Sequence, residues 1–138
     1  MIATKRFRVQ TKGHTNVIDI TSQIAEEVGS EGVALGLVTV FVSGSTAAVT
    51  TIEYEPGLIA DIKGFWQRLI PEGVPYEHDR AWGDGNGFSH LRSSLLGPSL
   101  VVPVVDGKLA LGTWQQIVLI DFDNRPRSRE VIVQIMGE

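Results

Sequence analysis

The ten-residue apolar run Val33–Val42 is the feature that most restricts what this chain can fold into. It is rich in Val, Leu and Phe, and glycines lie on either side of it at Gly32 and Gly44. A run of this length cannot cross a lipid bilayer, which needs about 20 apolar residues. Its β-branched content favours a buried strand over a helix. The chain is therefore predicted to build its core on a β-sheet.

Two helices are predicted in the N-terminal half of the chain. Ser22–Val28 is expected to form a short helix that Thr21 or Ser22 caps and Gly29 ends. Pro56 suits the first turn of a second helix, where its missing N–H would lack a partner in any case. The apolar face of this second helix is expected to pack on the sheet. That face consists of Leu58, Ile62, Phe65, Trp66 and Leu69.

A strand, a long loop and a third helix are predicted from three further segments. Lys5, Phe7 and Val9 alternate with Arg6, Arg8 and Gln10, as in a strand with one buried face. Pro71–Phe88 carries many glycines and aromatic residues without a regular period. Loops of this length inside one domain are usually functional or disordered, and the aromatic content favours a functional loop. Ser89–Leu96 is expected to form a helix that ends at Gly97.

The C-terminal part of the chain is predicted to be rich in strands. Leu100–Val105 and Lys108–Leu111 should form a hairpin, because the Asp106-Gly107 pair supplies the positive φ angles of a type I′ turn. Trp114–Phe122 and Glu130–Ile135 are expected to pair with each other. The fold class is thus α+β, with a mixed, mostly antiparallel sheet packed against two to three helices.

Length, charge and composition limit the class of protein further. A chain of 138 residues matches one domain, so residues 1–138 are predicted to share a single core. The net charge of -4 offers little attraction for phosphate backbones, which argues against nucleic acid as a partner. The chain has no cysteine, which removes thiolate ligands and nucleophiles. No signal-like or membrane-spanning run is present, so a cytoplasmic location without membrane contact is expected.

The segment most suited to chemistry lies between two histidines. His78 and His90 are twelve residues apart, and Asp79 and Asp84 lie between them among glycines. Imidazole and carboxylate together suit a divalent metal such as zinc or magnesium. The candidate metal ligands are His78, His90 and Asp84. The alternative is that both histidines only cap helices or bind backbone carbonyls.

Further polar residues are candidates for binding and catalysis. Glu53 follows the buried strand, where sheet ends commonly present polar groups to a pocket; a solvated carboxylate is the alternative. An arginine fork can bind phosphate through two hydrogen bonds, which makes Arg92 a candidate anion ligand. The basic cluster of Arg125, Arg127 and Arg129 is interpreted instead as a solvated turn. The candidates for substrate or anion binding are Thr46, Asn86, Arg92 and Gln115.

An ordered set of short motifs resembles one protein family over nearly the whole chain. The motifs are Ser45-Thr46-Ala47-Ala48, Asp84 to Asn86, Ser89 to Gly97, Leu109 to Gln115 (LALGTWQ) and Asp121 to Arg127 (DFDNRPR). Together they resemble the YjbQ-like family, whose members are usually called secondary thiamine-phosphate synthase enzymes. The resemblance implies an α+β domain assembled as a homotrimer, with a histidine-containing pocket close to a subunit boundary.

The chain departs from the family pattern at one position. The resemblance implies a His-Thr-Thr-Ala run after the buried strand, but this sequence has Gly44-Ser45-Thr46-Ala47. A three-histidine metal site is therefore incomplete. Either a carboxylate such as Asp84 or Glu53 completes it, or metal binding is weak, or the pocket works without metal. Gly44→His is predicted to raise zinc affinity if position 44 does not require glycine.

Two functions follow as hypotheses. The resemblance implies an enzyme that joins a thiazole phosphate to a pyrimidine pyrophosphate and releases pyrophosphate, with His78, His90 and Glu53 as candidate catalytic residues. The alternative is a non-catalytic trimer that binds a small molecule, an anion or a metal with the same residues. Either function predicts a small phosphorylated or anionic ligand as partner, and no organic cofactor is expected.

Overall fold

The protein contains eight strands and four helices, and the computed structural model describes all residues from 1 to 138. The elements are, in chain order, β1 (Ile2–Thr11), β2 (Asn16–Asp19), α1 (Thr21–Glu31), β3 (Leu35–Val42), β4 (Ala47–Ile52), α2 (Pro56–Leu69), α3 (Glu77–Trp82), α4 (Gly87–Leu96), β5 (Ser99–Val105), β6 (Lys108–Leu109), β7 (Gln116–Asp121) and β8 (Arg127–Gly137). The predicted α+β class is confirmed, although the helices number four. None of these helices has the length and apolar character needed to cross a membrane.

The strands form two antiparallel sheets. The larger sheet has the order β1-β8-β3-β5-β6, and the smaller one has the order β2-β7-β4. The prediction that the segments of β7 and β8 pair with each other is therefore wrong. β8 pairs with β1 and β3, whereas β7 pairs with β2 and β4. The turn between β7 and β8 carries the chain from one sheet to the other, which local pattern alone does not indicate.

The apolar run that constrains the fold forms β3, a central strand of the larger sheet. Val38, Val40 and Val42 face the core and are fully buried. Leu37 and Phe41 lie on the opposite face of β3 and are exposed by 47% and 39%. The predicted strand is confirmed, but only one of its faces is buried within this chain.

The smaller sheet lies between the larger sheet and helix α2. Ile117 and Leu119 on β7 belong to the core shared with the larger sheet and α1. Val118 and Ile120, on the other face of β7, pack with Trp66 of α2. This strand is buried on both faces because apolar side chains occur at consecutive positions. The three layers leave the strand ends and their turns free to form a cleft.

The predicted hairpin turn is confirmed, whereas the predicted apolar face of α2 is only partly correct. Asp106 and Gly107 have φ angles of 52° and 75°, as a type I′ turn requires. Helix α2 begins at Pro56 as predicted, and the Glu55 carboxylate caps it by accepting from the Leu58 amide at 2.7 Å. Its predicted face is only partly correct. Trp66 is buried and Ile59 and Ile62 pack beside it, while Phe65 and Leu69 are about half exposed.

Two further helix predictions need correction. Helix α1 continues past Gly29 and has Gly32 as its C-cap, and neither Thr21 nor Ser22 is its N-cap. Instead, the carboxylate of Asp19 accepts from the backbone amide and the hydroxyl of Thr21 at 2.9 Å and 2.6 Å.

The segment predicted as a long loop contains the six-residue helix α3. A helix this short has no complete apolar period to reveal it.

Candidate functional site

Three turns meet to form a polar cleft of about 490 Å³. They are the turn between β3 and β4, the segment from α3 to the start of α4, and the turn between β7 and β8. Five of the residues proposed from the sequence line this cleft, namely Thr46, His78, Asp84, Asn86 and His90. The fold therefore brings together residues that are well separated in the sequence, from Thr46 to His90.

A buried ion pair forms the floor of the cleft. Arg129 donates through Nε and Nη2 to the two carboxylate oxygens of Asp121, at 2.7 Å and 2.9 Å. Both side chains are almost completely buried. The hydroxyl of Thr46 accepts from Arg129 and donates to Asp123 at 2.9 Å. Nη2 of Arg129 also lies 3.8 Å from Oδ2 of Asp123. Removing Asp121 would leave Arg129 buried with only this longer contact, which is expected to be strongly destabilising.

Asp123 is the second buried carboxylate of the site. Burial raises the pKa of Asp123, but hydrogen bonds from Thr46, Asn124 and Asn86 and the charge of Arg127 outweigh burial and hold this pKa below 3.8. The side chain is therefore a carboxylate at neutral pH. It aligns Arg127, whose Nε and Nη2 lie 3.0 Å and 2.9 Å from the same oxygen of Asp123.

Arg127 is the charged group of this network that reaches the open cleft. Its side chain is 32% exposed, whereas that of Arg129 is 8% exposed. Nη1 of Arg127 has no hydrogen-bond partner in the protein, so one part of the guanidinium faces the cleft. The sequence interpretation of these arginines as a solvated turn is therefore corrected. Arg125 is exposed, Arg127 is half-buried and Arg129 is buried.

His78 and His90, two of the candidate metal ligands, meet at one wall of the cleft. The centroids of their rings are 4.2 Å apart and the ring planes are inclined by 40°. Burial lowers the pKa of His90 and the neighbouring His78 lowers it further, which outweighs the opposing effect of nearby carboxylates. A neutral imidazole at His90 can donate one hydrogen bond and accept another.

The residues that could bind a metal ion differ from the predicted set at one position. Donor atoms of His78, Asp79 and Asp84 lie within 4.8 Å of one another. Nδ1 of His78 is buried without a hydrogen-bond partner, and it lies 3.7 Å from Asp84 and 3.9 Å from Asp79. Two ligands of a tetrahedral zinc site lie about 3.4 Å apart, given bonds near 2.1 Å. These residues therefore fit a divalent cation after a small adjustment, with Asp79 in the place predicted for His90.

Arg92 does not reach the cleft, contrary to the prediction that it binds an anion. It is only 2% exposed, and its guanidinium donates to the Ile70 carbonyl at 3.0 Å and 2.8 Å and to the Thr15 hydroxyl at 3.0 Å. It also lies 4.8 Å from the centroid of the Phe88 ring. Burial lowers the pKa of Arg92, with the negative charge of Glu72 opposing that effect. Arg92 thus joins α4 to the end of α2.

Glu53 and Gln115 also lie outside the cleft. Glu53 is exposed and lines a separate depression with Tyr54 and Trp114. The Gln115 amide accepts from the Gly112 N–H at 3.1 Å and donates to the Thr51 hydroxyl at 3.0 Å. Both polar atoms of Gln115 therefore hold the local turn together. Within one chain, these two residues do not act on a molecule bound beside His78.

The backbone at position 44 favours glycine strongly. The condition attached to Gly44→His, that this position does not require glycine, is therefore not met. The φ of Gly44 is +138°, and a Cβ added there would lie 2.9 Å from Nη1 of Arg129. Arg129 cannot move aside easily because both of its bonds to Asp121 are buried. The expected gain in zinc affinity from Gly44→His is therefore no longer predicted. In this chain the Arg129 guanidinium approaches the position from which a histidine side chain would project.

The sequence reasoning missed Asp79, Trp82, Asp121, Asp123, Arg127 and Arg129. A signal for the charged residues was present, since Asp121 ends β7 and Asp123 follows two residues later, while Arg127 and Arg129 begin β8. Residues two apart on a strand share a face. Two acidic and two basic side chains with this spacing can therefore meet when the strand ends lie close together.

The same fold and sequence pattern occur in a group of known proteins. Residues 5–138 match the profile of the family described as UPF0047 protein YjbQ-like. A UPF0047 protein of Archaeoglobus fulgidus is 45% identical over 128 residues, which cover 93% of this chain and 97% of the relative. A UPF0047 protein of Methanothermobacter thermautotrophicus is 36% identical, over 99% of this chain and 94% of that one.

Solved structures agree with this relationship. The crystal structure of a protein of unknown function from Sulfolobus solfataricus, of the same fold family, superposes with a TM-score of 0.95 at 33% identity, over 100% of this chain and 99% of that chain. A hypothetical protein of Aeropyrum pernix gives a TM-score of 0.92 at 38% identity and covers 99% of both chains. The fold and cleft thus define a small α+β protein with a polar cleft at its strand ends. The chain belongs to the YjbQ-like family, UPF0047.

Proposed function

We propose that this protein is a transferase that binds phosphorylated substrates in the cleft beside His78 and Arg127. The reaction joins a thiazole phosphate to a pyrimidine pyrophosphate, as the family resemblance suggests. The observation that carries the proposal is the free edge of the Arg127 guanidinium in a cleft that also contains two histidines in contact. A guanidinium edge fixed by a carboxylate is preorganised to bind phosphate oxygens.

The proposed reaction mainly requires positioning and neutralisation of charge. The thiazole nitrogen attacks the methylene carbon of the pyrimidine, the carbon–oxygen bond to pyrophosphate breaks, and its electron pair leaves with pyrophosphate. No proton is transferred in this step. Arg127 binds the departing phosphate oxygens and the N–H of neutral His90 donates to one of them. Holding both reactants together in the cleft supplies most of the remaining rate increase.

A divalent cation fits this reaction at the group formed by His78, Asp79 and Asp84. The buried and unpartnered Nδ1 of His78 supports this assignment, because a buried polar atom without a partner costs free energy unless a ligand binds it. When bound, the cation would neutralise negative charge on pyrophosphate. Asp79 also accepts from the Gly87 N–H at 2.8 Å, which fixes its carboxylate toward His78.

The test is product formation with matched arginine variants. Purified protein is incubated with the thiazole phosphate, the pyrimidine pyrophosphate and Mg²⁺, with and without a chelator, and thiamine phosphate is measured. We expect product from the native chain, loss of about 100-fold for Arg127→Ala when one preorganised donor is removed, and little change for the exposed Arg125→Ala. Absence of product from the native chain, or equal rates in the two variants, would reject the proposal.

A non-catalytic role in binding anions is the second candidate. It is favoured by the contact between the Gly44 position and Arg129, which leaves no room for the third histidine that the family resemblance implies. Binding of inorganic pyrophosphate that depends on Arg127, without any product from the two precursors, would support this role instead.

A further inference from the structure

Trp82 is exposed in a cleft whose other walls are polar. It is the last residue of α3 and is 77% exposed. Among the residues that line the cleft it is the one hydrophobic side chain. Trp66, by contrast, is 5% exposed and packs edge to face against Phe122. The fold therefore uses Trp66 in its core and leaves Trp82 without an intramolecular role.

An indole at this position favours a particular class of ligand. An exposed tryptophan offers a flat apolar face that gains from burial and from stacking on another planar ring. Arg127, which lines the same cleft, offers a charged edge that suits phosphate. A molecule that satisfies both groups carries a planar aromatic ring and a phosphate group. A sugar phosphate or inorganic phosphate would use Arg127 alone.

We infer that Trp82 is the stacking residue for the ring of a phosphorylated heteroaromatic ligand whose phosphate binds Arg127. This inference deepens the proposed function by assigning the two parts of the ligand to two residues, and its phosphate end rests on the role proposed for Arg127. Trp82 is not a catalytic residue in this view. It determines specificity by favouring ligands with a ring over ligands without one.

The test compares two simple probes that differ by a ring, phenyl phosphate and methyl phosphate. Each is titrated into the native chain, Trp82→Ala and Trp114→Ala, with calorimetry as the readout. Trp114 is a matched control because it is 74% exposed but lines a different depression. We expect Trp82→Ala to lower the affinity for phenyl phosphate by about 10-fold, in the range known for stacking on aromatic side chains. Methyl phosphate should bind equally to all three chains.

Fluorescence provides an independent readout that a general loss of structure would not imitate. Phenyl phosphate should change the tryptophan emission of the native chain and of Trp114→Phe, but not that of Trp82→Phe. Equal weakening of both probes by Trp82→Ala, or no weakening of either, would overturn the inference. A change in the oligomeric mass of Trp82→Ala in solution would also overturn it, because Trp82 would then belong to a contact between subunits.

The outcome separates this inference from the proposed reaction. Ring-dependent binding through Trp82 without formation of thiamine phosphate would retain the inference and reject the enzyme. Formation of thiamine phosphate at the native rate by Trp82→Ala, with unchanged affinity for phenyl phosphate, would reject the inference and retain the enzyme.

Discussion

The imidazole ring centroids of His78 and His90 lie 4.2 Å apart although the two residues are twelve positions apart in the chain. A positive charge on His78 disfavours protonation of His90 at this distance. Burial and this proximity lower the pKa of His90. His90 is therefore favoured as a neutral imidazole, which can donate one hydrogen bond and accept another.

The first prediction concerns pH and His90. Since its pKa in the folded chain is below 6.5, the unfolded chain takes up the proton at a higher pH than the folded chain does. Stability from this group is present above about pH 6.5 and is lost as pH falls from there through the lower folded pKa. Denaturant unfolding at several pH values measures this effect. As pH falls below about 6.5, the free energy of unfolding should decrease less for His90→Gln than for the native chain. His14→Gln, outside the cleft, should retain the native decrease; identical curves for His90→Gln and native would contradict the prediction.

The second prediction concerns metal binding at His78. Zinc titration near neutral pH should show weaker affinity for His78→Ala and for Asp84→Ala than for the native chain, because both supply donor atoms to the same group. Losing one ligand should cost at least about 10-fold in affinity. Asp106→Ala, in the distant hairpin turn, serves as control. Equal affinity of all four proteins would show that these residues do not hold a metal.

The third prediction concerns the buried pair of Arg129 and Asp121. Asp121→Asn removes the carboxylate that binds both Nε and Nη2 of Arg129 and leaves only Asp123, 3.8 Å away. We therefore expect the free energy of unfolding to fall by about 3 kcal/mol, at the lower end for a broken buried pair. The control is Glu130→Gln, which removes an exposed contact 3.9 Å from Arg6. Such surface pairs contribute about 0–1 kcal/mol. Urea unfolding measures both changes, and similar losses in the two variants would count against a buried charge network.

The fourth prediction concerns Gly44. Gly44→Ala introduces the Cβ that would lie 2.9 Å from Arg129, at a φ of +138° that side chains rarely adopt. We expect a loss of about 1–3 kcal/mol from this strained backbone alone. Gly44→His should lose at least as much and should not gain zinc affinity. A stable Gly44→His protein with tighter zinc binding would show that the turn can rearrange.

The fifth prediction concerns assembly, and it keeps the homotrimer expected from the family resemblance. Leu35, Leu37, Phe41, Val101, Val105 and Met136 are exposed on the outer face of the larger sheet. Apolar surface of this kind commonly marks an interface between proteins. Light scattering should give about three times 15.0 kDa, and Leu37→Glu should reduce that mass. Leu95→Glu, an equally apolar and exposed site on α4, should not, and a monomeric native chain would exclude the trimer.

The extent of sequence-based prediction differs between regular elements and the cleft. The strand at Val33–Val42, the turn at Asp106-Gly107 and the helix after Pro56 were predicted correctly, because each depends on residues within a few positions. The pairing of β7 was predicted incorrectly. An apolar strand fits several partners equally well, and the choice is made by packing against α2 on one face and the larger sheet on the other.

The sequence by itself determined which residue types were available to the cleft, and it indicated His78 and His90 as candidate ligands of one site. Only the tertiary structure decided that Arg92 lies in the interior and that Arg127 faces the cleft. The physical reason is that a guanidinium has the same pattern of donors wherever it occurs. Its role is fixed by the partners that folding brings to it: the Ile70 carbonyl and Thr15 satisfy Arg92, while Asp123 leaves one side of Arg127 free.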